Sequence, residues 1–450
     1  MREVEVRARS LEELAGVLAA GQAERLREAA TRGVSLLDGR VVWNVNSTAT
    51  GGGVAEMLRA LLGYVAGAGV RSRWLVLDGE PEFYGLTKRL HNAIHGAGAD
   101  AVPGDADRAR YERVLHRNLP DLLGRVAPQD LVILHDPQTA GLVGPLREAG
   151  VPTVWRCHIG LDSLNAATEA AWAFLRPYVE PADAFVFSRR EYAPAWLPPD
   201  RLRVIPPSID PLSAKNRPMD PEEAVRTLVH AGLLGGDGPT GLSTGAPPRP
   251  DAPLVVQVSR WDRLKDMPGV IVGFARAPIA DDVHLMLLGP DVSGVSDDPE
   301  GAQVLAECHQ LWTDLPPGLR ERVHLASVPM ADVELNATIV NAVQRHAAVV
   351  VQKSLAEGFG LTVAEAMWKA RPVVASAVGG IQDQISDGED GVLIRDPRDL
   401  DDFGRALGAL FADPPGARRL GEAARETVRS RFLGDRHLQQ YVDLVESLLS

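Results

Sequence analysis

Residues 349–367 run Val349-Val350-Val351-Gln352-Lys353-Ser354-Leu355-Ala356-Glu357-Gly358-Phe359-Gly360-Leu361-Thr362-Val363-Ala364-Glu365-Ala366-Met367. A short β-branched run, a glycine-containing turn and the start of a helical pattern follow one another, which is the strand–loop–helix unit of a buried parallel sheet. The backbone N–H groups of Gly358, Phe359, Gly360, Leu361 and Thr362 sit where a helix begins, and there they can converge on a phosphate. Glu365, in the first helical turns, can accept two hydroxyl hydrogens from a ribose; a carboxylate at that place also simply complements the helix dipole. Glu357 stands before the turn, where it would meet a sugar.

The same alternation extends in both directions. Toward the N-terminus of this half it includes Leu254–Val258, Val283–Leu288 and Val323–Leu325, then Ala347–Val351, Pro372–Ala375 and Gly391–Ile394, with helices expected at 331–345, 361–369, 399–411 and 416–430. An earlier series comprises Val41–Val45, Trp74–Leu77, Leu131–Leu134, Thr153–Trp155, Ala184–Phe187 and Arg203–Ile205, and its first crossover helix carries the stripe Met57, Leu58, Leu61, Leu62 and Val65. Two α/β halves with parallel sheets follow. Between them the chain becomes rich in proline and glycine, so 211–253 reads as linker plus a mobile surface loop over 232–253. The halves span 1–210 and 254–432, and 433–450 reads as an amphipathic helix returning to the first. Ligands of open α/β sheets collect at the carboxyl ends of the strands, which places the chemistry in a cleft between the halves.

A length of 450 residues fits two domains, and a net charge of −13 is the wrong sign for broad nucleic-acid binding. An anion must be held by a local group of donors. Cys157 and Cys308 are the only cysteines, too few for a disulfide framework. No stretch has the length of a signal-peptide core or a membrane span, so a cytoplasmic protein without membrane association is expected. Only five lysines occur (Lys88, Lys215, Lys265, Lys353, Lys369), and a lysine surviving in an arginine-rich chain suits a compact point charge against phosphate.

Two further loops carry chemistry. After the first strand of the early series comes Asn44-Val45-Asn46-Ser47-Thr48-Ala49-Thr50-Gly51-Gly52-Gly53, a glycine-rich turn into a helix that lets backbone approach an anion. After Leu254–Val258 comes Ser259-Arg260-Trp261-Asp262-Arg263-Leu264-Lys265-Asp266, where Arg260 can fork onto two phosphate oxygens and Lys265 adds a point charge. The alternative for that loop is a solvated charged surface.

Glu357 and Glu365, with Glu-Gly-Phe-Gly between strand and helix, resemble the donor motif of the retaining glycosyltransferases of the GT-B fold (group 1), and the resemblance covers almost the whole chain. It implies two Rossmann-like domains, an N-terminal acceptor domain and a C-terminal donor domain. Arg260 and Lys265 would hold a donor diphosphate, Glu365 the ribose and Glu357 the transferred sugar, beside the glycines at 51–53 and 358–362. A narrower likeness lies in Trp43-Asn44-Val45-Asn46-Ser47-Thr48, Gly51-Gly52-Gly53-Val54-Ala55-Glu56-Met57, His135-Asp136-Pro137-Gln138-Thr139-Ala140-Gly141 and Trp155-Arg156-Cys157-His158-Ile159, which look like the trehalose glycosyltransferring synthases. That likeness implies glucose transfer from a nucleoside-diphosphate-glucose onto glucose. His158 would lie next to the reacting carbon, with Asn46, Asp136, Gln138 and Arg156 toward the acceptor.

The implied chemistry is front-face transfer, in which the leaving diphosphate helps deprotonate the acceptor and Arg260 and Lys265 stabilise its charge. No metal or other cofactor is required by that scheme, and Asp105-Ala106-Asp107 reads as a solvated turn. Domain closure would hinge near 211–218 and 432–435. The partners expected are a small sugar and a nucleotide-sugar, with a homodimer compatible. Phosphorolysis of trehalose, transfer to another small acceptor and a silent sugar-nucleotide sensor are the competing readings. The sequence leaves the donor base open.

Overall fold

The computed structural model describes residues 1–49, 53–96, 103–236, 243–292 and 299–449. Gly51 and Gly52 lie outside the described residues, and Gly53 opens the helix Gly53–Gly67. The chain divides into two units, Met1–Asp210 with Phe432–Ser450, and Pro211–Arg431.

The first unit is built on seven strands: β1 (Arg2–Val4), β2 (Val42–Asn46), β3 (Ser72–Val76), β4 (Leu131–His135), β5 (Thr153–Cys157), β6 (Ala184–Phe187) and β7 (Leu202–Val204). Their order across the sheet is β1-β3-β2-β4-β5-β6-β7. All neighbours are parallel except β1, which pairs antiparallel with β3. β1 was not expected, because two exposed charged residues followed by a single partly buried valine carry no apolar run to mark a strand. The chain leaves β2 for β3 on one side and then crosses to β4 on the other, so the switch point lies between β2 and β4.

The second unit contains β8 (Leu254–Val258), β9 (His284–Pro290), β10 (Val323–Val328), β11 (Val349–Gln352), β12 (Val373–Ser376) and β13 (Val392–Ile394). The order β10-β9-β8-β11-β12-β13 is parallel throughout. Its switch point falls between β8 and β11. The expected strands of both halves are present, with ends displaced by a residue or a few where polar residues such as His135 and Gln352 continue an apolar run.

Strand parity decides what each residue of β5 meets. Trp155 and Cys157 enter one core layer with Phe83, Tyr111 and Phe187. Val154 enters the opposite layer with Leu444 and Val445 of the helix Gly434–Leu449, which also packs on the helix Ala20–Leu36. Arg156 has the parity of Val154. It is 1% exposed, and its Nη1 donates to His437 Nε2 at 2.9 Å and to the Tyr441 hydroxyl, while Nη2 donates to the Ile205 carbonyl at 3.3 Å. This corrects the expectation that Arg156 faces an acceptor: a residue of that parity points beneath the C-terminal helix and clamps it to the sheet.

Three other expectations change. Asp105 and Asp107 open the helix Asp105–Leu123 rather than a turn, with Asp107 paired to Arg89 at 2.9 Å. The segment expected as linker contains the helix Pro221–His230, which packs on the helix Val333–His346. Leu233 and Leu234 are buried, and Ser243 bridges Ala326, so the described parts of 232–253 are anchored.

The hinge expectation near 211–218 also narrows. Asn341 Nδ2 donates to the carbonyls of Ala214 and Arg217, both at 3.0 Å, and Lys369 Nζ donates to Asn216 Oδ1 at 2.9 Å. Residues 214–217 are thus fixed to the second unit.

Replacing Arg156 by Met removes three hydrogen bonds while filling most of the space, and it strands buried acceptors at a cost of about 2–4 kcal/mol. The expected result is an apparent Tm about 5–10 °C below that of the wild type, measured by circular dichroism; an unchanged Tm would show that the clamp contributes nothing.

Candidate active site

At the switch point of the second unit two loops leave adjacent strands and are joined by one buried amide. Gln257, fully buried in β8, accepts from the Lys353 backbone N–H at 3.0 Å and donates to the Lys265 carbonyl at 2.8 Å. The Leu355 N–H donates to the Leu264 carbonyl at 2.7 Å. With the backbones fixed, Lys265 Nζ reaches Glu357 Oε2 at 2.6 Å, and the Ser354 hydroxyl donates to the same oxygen at 3.2 Å. The side chains of Lys265 and Glu357 are 17% and 11% exposed, so the pair is shielded yet reachable.

A second pair lies behind the first. Lys353, 1% exposed, donates to Asp266 and to the Pro397 carbonyl. Asp266 has φ 48° and caps the helix Met267–Arg276 by accepting from the Gly269 N–H at 3.2 Å. Arg260 is more exposed and donates to Asp262 Oδ2 at 2.9 Å, and Asp262 accepts from the Leu264 N–H at 2.8 Å.

The glycine turn completes this half. Gly360 has φ 84°, and a Cβ there would lie 2.9 Å from Ile381 Cγ1, so the position requires glycine. Gln384 donates to the carbonyls of Phe359 and Gly360, and the Gly380 N–H to the Gly358 carbonyl. With the carbonyls held this way, the start of the helix Leu361–Trp368 has the chemistry of a helix N-terminus that can accept an anion. The Thr362 hydroxyl is committed to Gln352 Oε1 at 3.0 Å, so Thr362 offers its backbone rather than its side chain. Glu365 is buried one turn in, 3.7 Å from Lys215 Nζ. Its carbonyl accepts from Lys369 Nζ at 3.0 Å; burial lowers the Lys369 amine to about 7 despite the Glu365 charge.

The first unit carries a neutral cluster at its own switch point. His135 Nε2 lies 3.0 Å from Asn44 Oδ1, and His135 Nδ1 lies 3.1 Å from His158 Nε2, with the two ring planes 11° apart and their centroids 5.4 Å apart. The Asp136 carboxylate accepts from the His158 N–H at 2.8 Å. Asp136 has φ 64°, a conformation costing about 1–3 kcal/mol, held by its N–H on the Arg156 carbonyl at 2.8 Å and its carbonyl on Trp155 Nε1 at 3.2 Å. Burial raises the Asp136 carboxyl to about 7, against the His158 N–H and the Arg156 charge. Burial, reinforced by Arg156, lowers His135 to about 3 and His158 well below the ordinary histidine value.

Of the residues expected toward an acceptor, Asp136 joins His158, and Gln138 lies on the next turn with a buried Oε1 that has no partner among the described residues. Asn46 instead holds its own loop, donating to the Thr48 carbonyl at 2.7 Å and accepting from Trp74 Nε1 at 2.8 Å. Sequence reasoning did not single out Gln257, Asp266, Asn44 or His135 for the site. The lysine scarcity was a signal: Lys215, Lys265, Lys353 and Lys369 all have polar partners around this switch point of the second unit, and Lys88 alone is on an exposed helix surface. Among the described residues no group of three or more His, Cys, Asp or Glu is disposed to hold a metal ion, and no helix is long and apolar enough to cross a membrane.

Two parallel α/β units with ligand-competent switch points define the GT-B class of glycosyltransferases. A sucrose-phosphate synthase from Thermosynechococcus elongatus superposes with TM-score 0.66 at 21% identity, over 91% of this chain and 99% of that one. Residues 44–194 match the family described as trehalose synthase, N-terminal domain, and residues 333–427 match glycosyl transferases group 1. A trehalose synthase of Pyrococcus horikoshii is 34% identical over 443 residues, 98% of this chain and 97% of that one. A trehalose phosphorylase of Pleurotus pulmonarius is 28% identical over 85% of this chain, which spans 54% of that longer protein. The chain belongs to the trehalose synthase family of group 1 glycosyltransferases.

The buried histidines predict a pH dependence of folding. His135, His158 and His437 all have depressed pKa values, so below the ordinary value of about 6.5 the unfolded chain takes up protons that the folded chain refuses, and stability is lost as pH falls. Asp136 acts in the opposite sense, its contribution being lost as pH rises from about 4 to about 7. His284, His324 and His346 are depressed as well and Asp435 is raised like Asp136, so the depressed histidines outnumber the raised carboxyls and denaturant unfolding of the full chain should show stability falling between pH 6.5 and 5. His437→Gln should flatten that slope by about 1.4 kcal/mol per pH unit; an unaltered slope would contradict the assignment.

Proposed function

We propose that this enzyme transfers a glucosyl group from a nucleoside-diphosphate-glucose to glucose, forming α,α-trehalose with retention at the anomeric carbon. The observation that carries this reading is the Lys265–Glu357 pair, set by Gln257 beside the glycine turn of 358–360. A diphosphate lying on the amides of the helix Leu361–Trp368 has a cation for its developing charge in Lys265 and a second in Arg260. A carboxylate beside the same cation accepts hydroxyl hydrogens of the attached sugar. Glu365, buried beyond the turn, supplies an acceptor for a ribose, and a ribose is present only in a nucleotide donor.

In the first unit, the neutral His158 ring and the Asp136 carboxyl, raised toward neutrality by burial, supply hydrogen-bonding groups of the kind that orient a sugar. In front-face transfer the acceptor oxygen forms its bond to the anomeric carbon as the bond to the diphosphate oxygen breaks, and the acceptor proton passes to that leaving oxygen. The catalytic contribution of this chain is then electrostatic, on the leaving group. The relatives named trehalose synthase support the product.

Phosphorolysis is the second reading, favoured by the same amide terminus, which suits inorganic phosphate as well as a nucleotide phosphate. The purified protein should be incubated with ADP-, UDP- or GDP-glucose plus glucose, with trehalose plus phosphate, and with maltose alone. The expected outcome is nucleoside diphosphate and a trehalase-sensitive, non-reducing disaccharide in the first arm. Glucose 1-phosphate from the second arm, or product from maltose alone, would overturn nucleotide dependence. Lys265→Ala should lower kcat by about 10²–10³-fold, measured as nucleoside diphosphate released; retention of full turnover would remove Lys265 from the mechanism.

A further inference from the structure

We propose that His135 is a positioning residue for glucosyl transfer: its ring takes the Nε2–H of His158 and thereby presents His158 Nδ1 as a hydrogen-bond acceptor to a hydroxyl of the reacting sugars. This rests on the transfer reading above and goes beyond it, because it fixes the protonation of the ring and names the residue that fixes it.

The hydrogen bonds determine the tautomers one after another. Asn44 Oδ1 only accepts, so the 3.0 Å contact requires a hydrogen on His135 Nε2. His135 is 1% exposed, and Asn44, also buried, lies beside it on β2. Placing a second proton on His135 would bring a cation into a layer that already contains the Arg156 guanidinium. His135 is therefore neutral with a lone pair on Nδ1, and the single hydrogen in the 3.1 Å contact belongs to His158 Nε2. His158 carries no second proton for the same reason, which leaves Nδ1 as a lone pair. Among the described residues no hydrogen bond reaches that atom, and His158 is 8% exposed at the carboxyl end of β5.

The consecutive residues His135 and Asp136 thus fix His158 twice. His135 holds the ring, and Asp136 holds the backbone N–H from a strained conformation with φ 64°. An imidazole fixed in this way accepts a hydroxyl hydrogen and does not deliver a proton, which agrees with a mechanism whose proton goes to the leaving diphosphate. A ring free to flip would present a donor in half of its orientations and repel the same hydroxyl hydrogen.

The test joins a spectroscopic readout to kinetics. Selective ¹⁵N-histidine labelling, with long-range proton–nitrogen correlation and a His158→Ala variant for assignment, reports which His158 nitrogen is protonated. The wild type should show the Nε2–H form alone. His135→Asn places an amide oxygen near the position of Nδ1 and should keep that form and most of the turnover. His135→Leu should give both tautomers and lower kcat roughly 10–100-fold with little change in donor KM. An Nδ1–H form in the wild type, or a His135→Leu variant with wild-type tautomer and turnover, would overturn the proposal. Should His135→Leu fail to fold, the wild-type and His135→Asn spectra still decide it. Failure of the wild type to transfer glucose would sink the functional reading but leave the tautomer result standing.

Discussion

The second unit depends on one primary amide. Parallel strands order the backbone only as far as their last ladder bond, and the loops that follow β8 and β11 have no ladder between them. Gln257 supplies a connection, beside the single Leu355–Leu264 backbone bond, by accepting from one loop and donating to the other inside the buried core. An unpaired amide at that depth would cost about 1–3 kcal/mol, so the residue and the two loops stabilise one another or fail together. Ion pairs at 2.6 Å follow from backbones set this closely.

The two switch points are chemically opposite. The second unit concentrates charge: Lys265 with Glu357, Lys353 with Asp266 and Lys215 with Glu365. Each cation has an acid partner, which keeps buried charge tolerable while leaving cations near the amides of the helix start. The first unit removes charge: its histidines are neutral, its aspartic acid is raised to about 7, and Arg156 is turned away under the C-terminal helix. A diphosphate suits the first kind of environment, and an uncharged sugar suits the second.

Much of this was legible in the sequence, for identifiable reasons. Apolar β-branched runs such as Leu254–Val258 sit in a buried parallel sheet and announce themselves. The Glu-Gly-Phe-Gly turn also reads directly, because Gly360 occupies a conformation and a space that other residues do not tolerate. The residues that were not legible act through parity or through distant partners. Arg156 and His158 share a parity, yet Arg156 lies within β5 under the C-terminal helix and His158 lies past the strand's end. Nothing local distinguishes Gln257 from a solvated glutamine, since its partners lie 8 and 96 positions away. The short charged strand β1 and the anchored segment 214–217 likewise take their structure from tertiary partners.

In the proposed reaction Lys265 and Glu357 are positioned together to meet the two ends of a glucosyl diphosphate. A crystal structure with an unreactive nucleoside-diphosphate-glucose tests it most directly. The account predicts diphosphate oxygens within hydrogen-bond distance of Lys265, Arg260 and the amides at the start of the helix Leu361–Trp368, with sugar hydroxyls on Glu357. A donor bound with its diphosphate away from Lys265, or its sugar away from Glu357, would contradict it.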